Sequence, residues 1–350
     1  MTGLEGDRLT PQKNISEGLK EQNERLKPGQ KLLLAGHSFL AAFAFEHDIN
    51  RIPLFKNNLN EDRLNNLMKE YFSIYGLLSG LVGKENVLVT DNCLEVGKST
   101  YGKTVHEEVR LPDGNLNLQT IAAPFITDYY HCWPRDAHSL INGKVLTNKD
   151  TWTVQDKDIS VSGLGEGGKV LVKDQAILIT PDIYKSSKDE IGRLIKEGYR
   201  IGVLPFVDPS KQKHEFRADH IDGHASLIKD KDDKLTLVVA DSYSRQGNDA
   251  MKFIREGCST IGAKIVGVDD QYLPPLAFNL LQFEDKSIAM ASALFRDLEV
   301  TLSGLVGGDK VFMTDTPITY IPKLAHGGIR CLTNTIPSWV INNYNSSNIK

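Results

Sequence analysis

The sequence predicts a single α/β domain made of small sheets with helices packed on one side. Two observations predict this class. From residue 121 onward, extended segments alternate with amphipathic helical segments in the recurring order strand, strand, helix, strand. No stretch of linker composition divides the 350 residues, so two tethered domains are not indicated. The recurrence is one of periodicity alone, since no side-chain identity repeats with it.

The beginning of the chain differs in composition from the rest. Residues 15–27 are rich in Glu, Lys, Leu and Gln and predict a helix, which Pro28 and Gly29 end. We expect residues 1–29 to be a solvated helical extension and residues 30–350 to form the domain itself.

The remaining elements follow from two spacings of apolar residues. Short apolar or alternating runs predict strands, and apolar residues three and four apart predict helices. Strands are expected at the start of 31–45 and over 85–90, 121–130, 170–180, 200–206, 224–227, 235–240, 264–268, 278–283, 288–290 and 310–313. Helices are expected over 60–82, 187–197, 246–262 and 291–304.

Composition excludes several classes of protein. The 41 basic and 45 acidic residues give a net charge of -4, and no basic stripe interleaved with aromatic residues indicates a nucleic-acid partner. No apolar run is long enough to cross a bilayer, and the N-terminal residues lack the apolar core of a signal peptide. The four cysteines are widely spaced, which argues against a disulfide framework and a structural zinc site. We therefore expect a protein of the reducing cytoplasm.

The first candidate for chemistry is a cysteine near the C-terminus. Cys331 follows Gly327 and Gly328 at the entrance to a segment that is expected to be extended. The glycines would let a substrate approach the thiol closely, and the neighbouring Arg330 would favour a thiolate if it shared the same face. In a strand, however, adjacent side chains point to opposite faces. A half-buried structural cysteine is the alternative.

His220 is the candidate general acid or base, because the reference pKa of histidine lies near 6.5. A histidine satisfied within the core is the alternative. His220 and His224 are four residues apart, which is metal-ligand spacing on a helix. The intervening Ile-Asp-Gly favours no helix and no third ligand is evident, so a metal site is not favoured.

Three acidic residues complete the candidate site. Asp136 follows an aromatic-Pro-Arg sequence, Glu166 is flanked by glycines, and Asp222 lies two residues after His220. In an extended chain His220 and Asp222 would face the same way. Each acid taken singly is more typical of a turn or a helix cap. Three acids without metal ligands around them indicate a cationic substrate, and a planar guanidinium matches carboxylates pairwise.

These motifs, in this order, resemble those of the guanidine-modifying superfamily with the pentein fold, which contains deiminases, dimethylarginine hydrolases and amidinotransferases. Trp133-Pro134-Arg135-Asp136 is similar to its aromatic-x-Arg-Asp site and Glu166-Gly167-Gly168 to its Glu-Gly-Gly site. His220-Ile221-Asp222 is similar to its His-x-Asp site, and the segment from Gly327 to Cys331 resembles its nucleophile loop. The resemblance covers about residues 30 to 340.

The resemblance implies a propeller of five strand-strand-helix-strand units around a pseudo-fivefold axis, with the site at its centre. It also implies that Cys331 attacks the guanidinium carbon, while His220 protonates the departing nitrogen and then activates water. Asp136, Glu166 and Asp222 would orient the guanidinium and stabilise its charge. The covalent amidino-thioether would be converted to a ureido product without a metal or an organic cofactor.

Three functions remain open at this point. The favoured one is a cysteine-dependent hydrolase of the deiminase type, acting on the guanidinium of arginine, agmatine or a related small molecule. An amidinotransferase would use the same thiol chemistry with an amine in place of water. A non-catalytic pentein-like binding protein would not require the cysteine, the histidine and the acids together.

Some residues depart from the family pattern or have two interpretations. Lys169 follows Glu-Gly-Gly where many members have an acid. This departure argues against assignment to the free-arginine deiminases. Residues 94–118 match no part of the family. Trp133 is expected either to stack on the substrate or to pack in the core. Candidates for binding a substrate carboxylate, with solvated surface residues as the alternative, are Arg135, Arg217 and Arg330.

Overall fold

The computed structural model of this chain describes residues 22, 24–36, 61–90, 134–141, 144–147, 159–161, 164, 167–206, 220–246, 249–271, 276–292, 296–322 and 327–339. For 136–141, 144–147 and 159–161 it describes the backbone alone. The helices are α1 (Glu61–Val82), α2 (Pro134–Ala137), α3 (Pro181–Ser186), α4 (Lys188–Lys196), α5 (Asp241–Ser244), α6 (Ala250–Ile261) and α7 (Arg296–Val306).

The strands are short, with two to seven residues each. They are β1 (Gln30–Ala35), β2 (Val87–Thr90), β3 (His138–Ile141), β4 (Lys144–Thr147), β5 (Ile159–Val161), β6 (Val170–Lys173), β7 (Ala176–Ile179), β8 (Arg200–Val203), β9 (Ala225–Lys229), β10 (Leu235–Ala240), β11 (Lys264–Val268), β12 (Leu281–Gln282), β13 (Ile288–Ser292), β14 (Val311–Pro317) and β15 (Thr333–Pro337). Short 3-10 turns occupy Lys84–Asn86, Gly167–Lys169, Ile221–Gly223 and Gly308–Lys310.

In the part of the chain that is described, these strands form five three-stranded sheets of the same design. In each sheet the middle strand is antiparallel to one neighbour and parallel to the other. The antiparallel pairs β6–β7 and β9–β10 are joined by short turns, whereas the parallel pairs β7–β8 and β10–β11 are joined through helices. A parallel pair requires such a crossover, and a helix supplies it.

One sheet joins the two ends of the described chain. Strand β1 is the middle strand, parallel to β2 with Leu32 opposite Val87, and antiparallel to β15 with Leu34 opposite Thr333. The carbonyl of Leu332 also accepts a hydrogen bond from the backbone N–H of Ala35, at 2.8 Å. The strand that follows the candidate nucleophile is therefore held by the first strand of the domain.

Apolar side chains between the sheets and helices form the core. Helix α1 buries Leu67, Tyr71 and Leu78 against β1 and β2, whose apolar residues are almost fully buried. A second cluster joins α6 and α7 to the sheets of β9–β11 and β12–β14. A third packs α4 on the sheet of β6–β8. Each helix covers one face of a small sheet, as the alternation in the sequence predicts.

Most of the predicted elements are confirmed. Strand β11 has the expected bounds, and helix α1 begins one residue later than expected. The elements that lie within or overlap their predicted segments are β1, β2, β8, β9, β10, β13, β14, α4, α6 and α7. The segment 121–130 lies outside the described residues. Among the described residues, no helix has both the length and the apolar character that a membrane span requires.

Three expectations need correction. The single extended segment 170–180 is a hairpin, β6–β7, because Asp174 has a positive φ of 50° at its turn. Segment 278–283 contributes only the two residues of β12, since the chain turns before it at Leu276, where φ is 65°. The end of the N-terminal segment is not solvated: Leu26 is buried, and Arg25 pairs with Asp285 at 3.2 Å. Residues 1–21 lie outside the described residues.

Candidate active site

Cys331 lies in a turn, two positions before the first residue of β15. The turn is held by the N–H of Leu332, which donates to the carbonyl of Gly328 at 3.0 Å, and by Thr333, whose hydroxyl donates to the carbonyl of Ile329 at 2.8 Å. The Cys331 side chain is 8% exposed and is not in a disulfide. The turn that carries the buried thiol is thus held in place by hydrogen bonds.

Asp222 faces this thiol from the turn Ile221–Gly223 and is completely buried. Its Oδ2 atom accepts hydrogen bonds from Arg330 Nη1 at 2.7 Å and from Asn279 Nδ2 at 2.8 Å. The Cys331 thiol donates to the same oxygen at 3.4 Å. The Oδ1 atom of Asp222 has no hydrogen-bond partner among the described residues.

Arg330 is buried, and its guanidinium links Asp222 to the Glu-Gly-Gly segment. Besides Asp222, it donates to the carbonyl of Gly167 at 3.1 Å and to that of Val170 at 2.7 Å. Arg330 and Cys331 therefore both reach Asp222, which corrects the expectation of opposite faces, because the chain turns here and is not yet a strand. Arg330 is therefore not a solvated surface residue, and the carboxylate that it binds is that of Asp222.

His220 immediately precedes the Asp222 turn and is 7% exposed. The expectation that His220 and Asp222 share a face of extended chain is wrong, because Ile221–Gly223 is a 3-10 turn. Gly168 packs against the His220 imidazole so closely that a Cβ on Gly168 would overlap the ring at Nδ1. The glycine of the Glu-Gly-Gly segment therefore makes room for the imidazole.

This contact predicts a large effect of adding one methyl group. Gly168→Ala should displace the His220 ring and lower kcat/KM by about 10²-fold, as misplacement of a catalytic group by about 1 Å does. The matched control is Gly192→Ala in α4, where a Cβ meets nothing within 4 Å and the helix gains about 0.5–1 kcal/mol. Steady-state kinetics of both variants checks the prediction; equal activity of the two would contradict it.

The other two predicted acids are described in part or not at all. Helix α2 is tied to the nucleophile loop, because the carbonyl of Pro134 accepts a hydrogen bond from Asn334 Nδ2 at 2.9 Å and Arg135 Nε donates to the carbonyl of Arg330 at 3.4 Å. The backbone of Asp136 therefore lies beside the loop. The Asp136 side chain and the whole of Glu166 lie outside the described residues, as do Trp133 and Arg217.

Asn279 belongs to the site and was missed in the sequence. Its Oδ1 atom accepts the backbone N–H of Cys331 at 3.0 Å, and its Nδ2 atom lies 3.0 Å from Cys331 Sγ. The residue precedes β12 within an apolar stretch and is part of none of the four motifs. The one sign of its importance is that this asparagine is 98% buried. Burial cannot be read from a sequence.

Two further sequence hypotheses concern residues close to the site. Lys169 forms an ion pair with Asp182 at 3.2 Å, so the residue that replaces the usual acid is directed toward α3. His220 and His224 are separated by a 3-10 turn, and the His224 ring packs against Tyr243 with centroids 5.9 Å apart. Within the described residues, no group of three or more His, Cys, Asp or Glu side chains is arranged to hold a metal ion.

A cavity of about 210 Å³ has Arg330 in its wall. Arg135, Arg330 and Asn334 line it at one end, and neither Cys331 nor Asp222 is part of its wall. Burial there lowers the pKa of Lys173 to about 8. Because neither the thiol nor the open carboxylate oxygen lines this cavity, we locate the candidate chemistry at Cys331 and not in this cavity.

No protein-family model matches the chain, and no curated protein is significantly similar to it in sequence. Its fold is similar to that of a cysteine-to-serine variant of agmatine deiminase from C. jejuni with substrate bound. The TM-score is 0.52 at 13% identity, and the match covers 91% of this chain and 95% of that chain. A substrate-bound cysteine-to-serine variant of the N-terminal domain of the cyanobacterial arginine dihydrolase ArgZ gives a TM-score of 0.48 at 13% identity, over 87% and 97% of the two chains.

A third similar structure is that of DDAH from Pseudomonas aeruginosa, again a cysteine-to-serine variant, in complex with citrulline. The TM-score is 0.34 at 14% identity, over 51% of this chain. The chain spans 58% of the length of that protein. At these identities the comparisons show a likeness of fold, and the resemblance to the pentein enzymes that the motifs indicate is confirmed at that level.

Proposed function

We propose that the protein is a cysteine-dependent hydrolase of small guanidino compounds, with the five sheets arranged as the blades of a pentein propeller. The observation that carries this proposal is the unpartnered Oδ1 atom of Asp222, buried beside the Cys331 thiol. A buried carboxylate oxygen without a donor is unfavourable by about 1–3 kcal/mol or more. An occupant that donates to it is therefore favoured, and it would lie next to a nucleophile.

A guanidinium fits this oxygen better than other cations. Its N–H groups lie in a fixed plane, so one of them can donate to Asp222 while the central carbon faces the sulfur. Asp136 and Glu166 are proposed to accept from the remaining N–H groups. The solved agmatine deiminase with a similar fold has its substrate bound, which supports the same class of ligand.

The proposed reaction begins when the Cys331 thiol transfers its proton to His220 and the sulfur attacks the guanidinium carbon. His220 then returns that proton to the departing nitrogen, and the carbon–nitrogen bond breaks to release ammonia or an amine. An amidino-thioether remains on Cys331.

The second half-reaction uses the same histidine. His220 takes a proton from water as the oxygen adds to the amidino carbon, and the carbon–sulfur bond then breaks. The expelled sulfur takes up the hydroxyl proton, which leaves a ureido product. His220 passes its additional proton to the released ammonia or amine, so the enzyme returns to its starting state.

A panel of agmatine, arginine, methylated arginine and an arginine-containing peptide tests the proposal. We expect at least one compound to give a ureido product in equal amount to the released ammonia or amine, without an added acceptor. Colorimetry measures the first and mass spectrometry the second. Consumption only in the presence of an acceptor amine would show amidino transfer instead. No consumption of any guanidino compound by protein whose Cys331 reacts with iodoacetamide would contradict the hydrolase.

A further inference from the structure

We infer that Asn279 is a catalytic residue that donates a hydrogen bond to the ionised Cys331 sulfur, in addition to holding the nucleophile turn. The inference names a further residue of the proposed active site, and its test requires no substrate. It follows from the five hydrogen bonds that meet at this amide and at Asp222.

The orientation of the Asn279 amide is fixed by the backbone. The N–H of Cys331 can only donate, so the atom that faces it at 3.0 Å must be the amide oxygen. The amide nitrogen is then directed to the other side, where Asp222 Oδ2 lies at 2.8 Å and Cys331 Sγ at 3.0 Å. Both N–H groups of Asn279 are therefore used, one on the carboxylate and one on the sulfur.

The Asn279 donor matters because the carboxylate of Asp222 also faces the Cys331 sulfur. Asp222 lies 3.4 Å from the sulfur, and a carboxylate at that distance opposes ionisation of the thiol, an effect that its ion pair with Arg330 reduces but does not remove. Arg330 donates to Asp222 and to two carbonyls, and no hydrogen bond joins it to the sulfur. Among the described residues, the Asn279 amide is thus the side-chain donor that reaches Sγ. An oriented donor in a buried site is worth about 10²–10³ in rate.

Gly328, in the turn that carries Cys331, supports this role. A Cβ on Gly328 would lie 2.7 Å from Asn279 Oδ1, 2.8 Å from its Cβ and 2.9 Å from its Cγ. Only a residue without a side chain allows the amide to approach the turn this closely. The glycine before the candidate nucleophile therefore admits a protein side chain, whereas the sequence suggested that it admits the substrate.

The test is the pH dependence of Cys331 alkylation by iodoacetamide, followed on its peptide by mass spectrometry. Asn279→Asp keeps an oxygen to accept the Cys331 N–H but replaces the donor with a second carboxylate. We expect the midpoint of alkylation to move to higher pH by about one pH unit or more. Asn279→Ala should give a smaller upward movement and a loss in kcat of about 10²-fold.

The deciding variant is Asn279→Ala, because the added carboxylate of Asn279→Asp raises the midpoint whether or not the amide is a donor. A midpoint equal to that of the wild type in folded Asn279→Ala would overturn the inference. Asn86→Asp is the control, because Asn86 hydrogen-bonds to Lys31 and Val82 away from the site.

A third variant covers the case in which Asn279→Ala does not fold. Gly328→Ala changes no charge and pushes the amide away from the turn, so the midpoint should again rise. An unchanged midpoint in folded Gly328→Ala, judged by circular dichroism, would contradict the inference. Failure of the guanidino panel would leave these alkylation results unaffected, so the two proposals fail separately.

Discussion

Replacing Cys331 by alanine should abolish turnover while the protein still binds its guanidino ligand. The sulfur is the proposed attacking atom, and loss of a nucleophile lowers kcat by at least about 10⁴-fold. Asp222 and its unpartnered Oδ1 atom remain in Cys331→Ala, so the site for the cation is kept. Steady-state kinetics measures the first effect and isothermal titration calorimetry the second.

The matched control is the second described cysteine. Cys258 is a core residue of α6, where burial raises the pKa of its thiol to about 12. Cys258→Ala should therefore keep full activity, and iodoacetamide should label Cys331 but not Cys258. Substrate should protect Cys331 from the reagent. Turnover by Cys331→Ala above the background rate would remove this residue from the mechanism.

The second large effect is expected for Asp222→Asn. The change keeps the shape of the side chain but removes the charge that pairs with the guanidinium and with Arg330. Loss of one partner of a buried charge pair should lower kcat/KM by about 10³-fold. It also leaves Arg330 buried without its anion, which lowers the free energy of unfolding by about 3 kcal/mol. Kinetics at 20 °C and thermal unfolding are the two measurements.

Asp230→Asn separates the chemical effect from the structural one. Asp230 is also buried, accepts the backbone N–H of Lys234 at 2.9 Å and pairs with Lys264, but it lies at the β9–β10 turn. This control should lose stability without losing activity. If Asp222→Asn kept wild-type kcat/KM, the open carboxylate oxygen would not be the guanidinium site.

The sequence was sufficient to identify the α/β class and the order of the motifs, because both depend on local patterns. Apolar spacing located α1 and β11, and the strand-strand-helix-strand order agrees with the five similar sheets. Strands β3, β4 and β5 were not predicted, because three or four residues of mixed composition are too few for a periodicity to emerge.

Within the site, the sequence indicated which residue types to look for but not how they meet. Cys331 and Asp222 are 109 residues apart, and their contact at 3.4 Å depends on how the sheets pack. The role of Arg330 was missed because the rule for strand neighbours does not apply in a turn. Asn279 was missed because its importance comes from two partners that no spacing in the sequence connects to it.

The pairing of β1 with β15 has a consequence for how the protein acquires activity during its synthesis. Leu33 and Asn334 are partners across this ladder although about three hundred residues separate them. A ribosome adds roughly 5–20 residues per second, so β1 waits on the order of half a minute for its partner. The turn that carries Cys331 can therefore be set in position only after every residue through β15 has emerged, and chains that end before β15 should be inert.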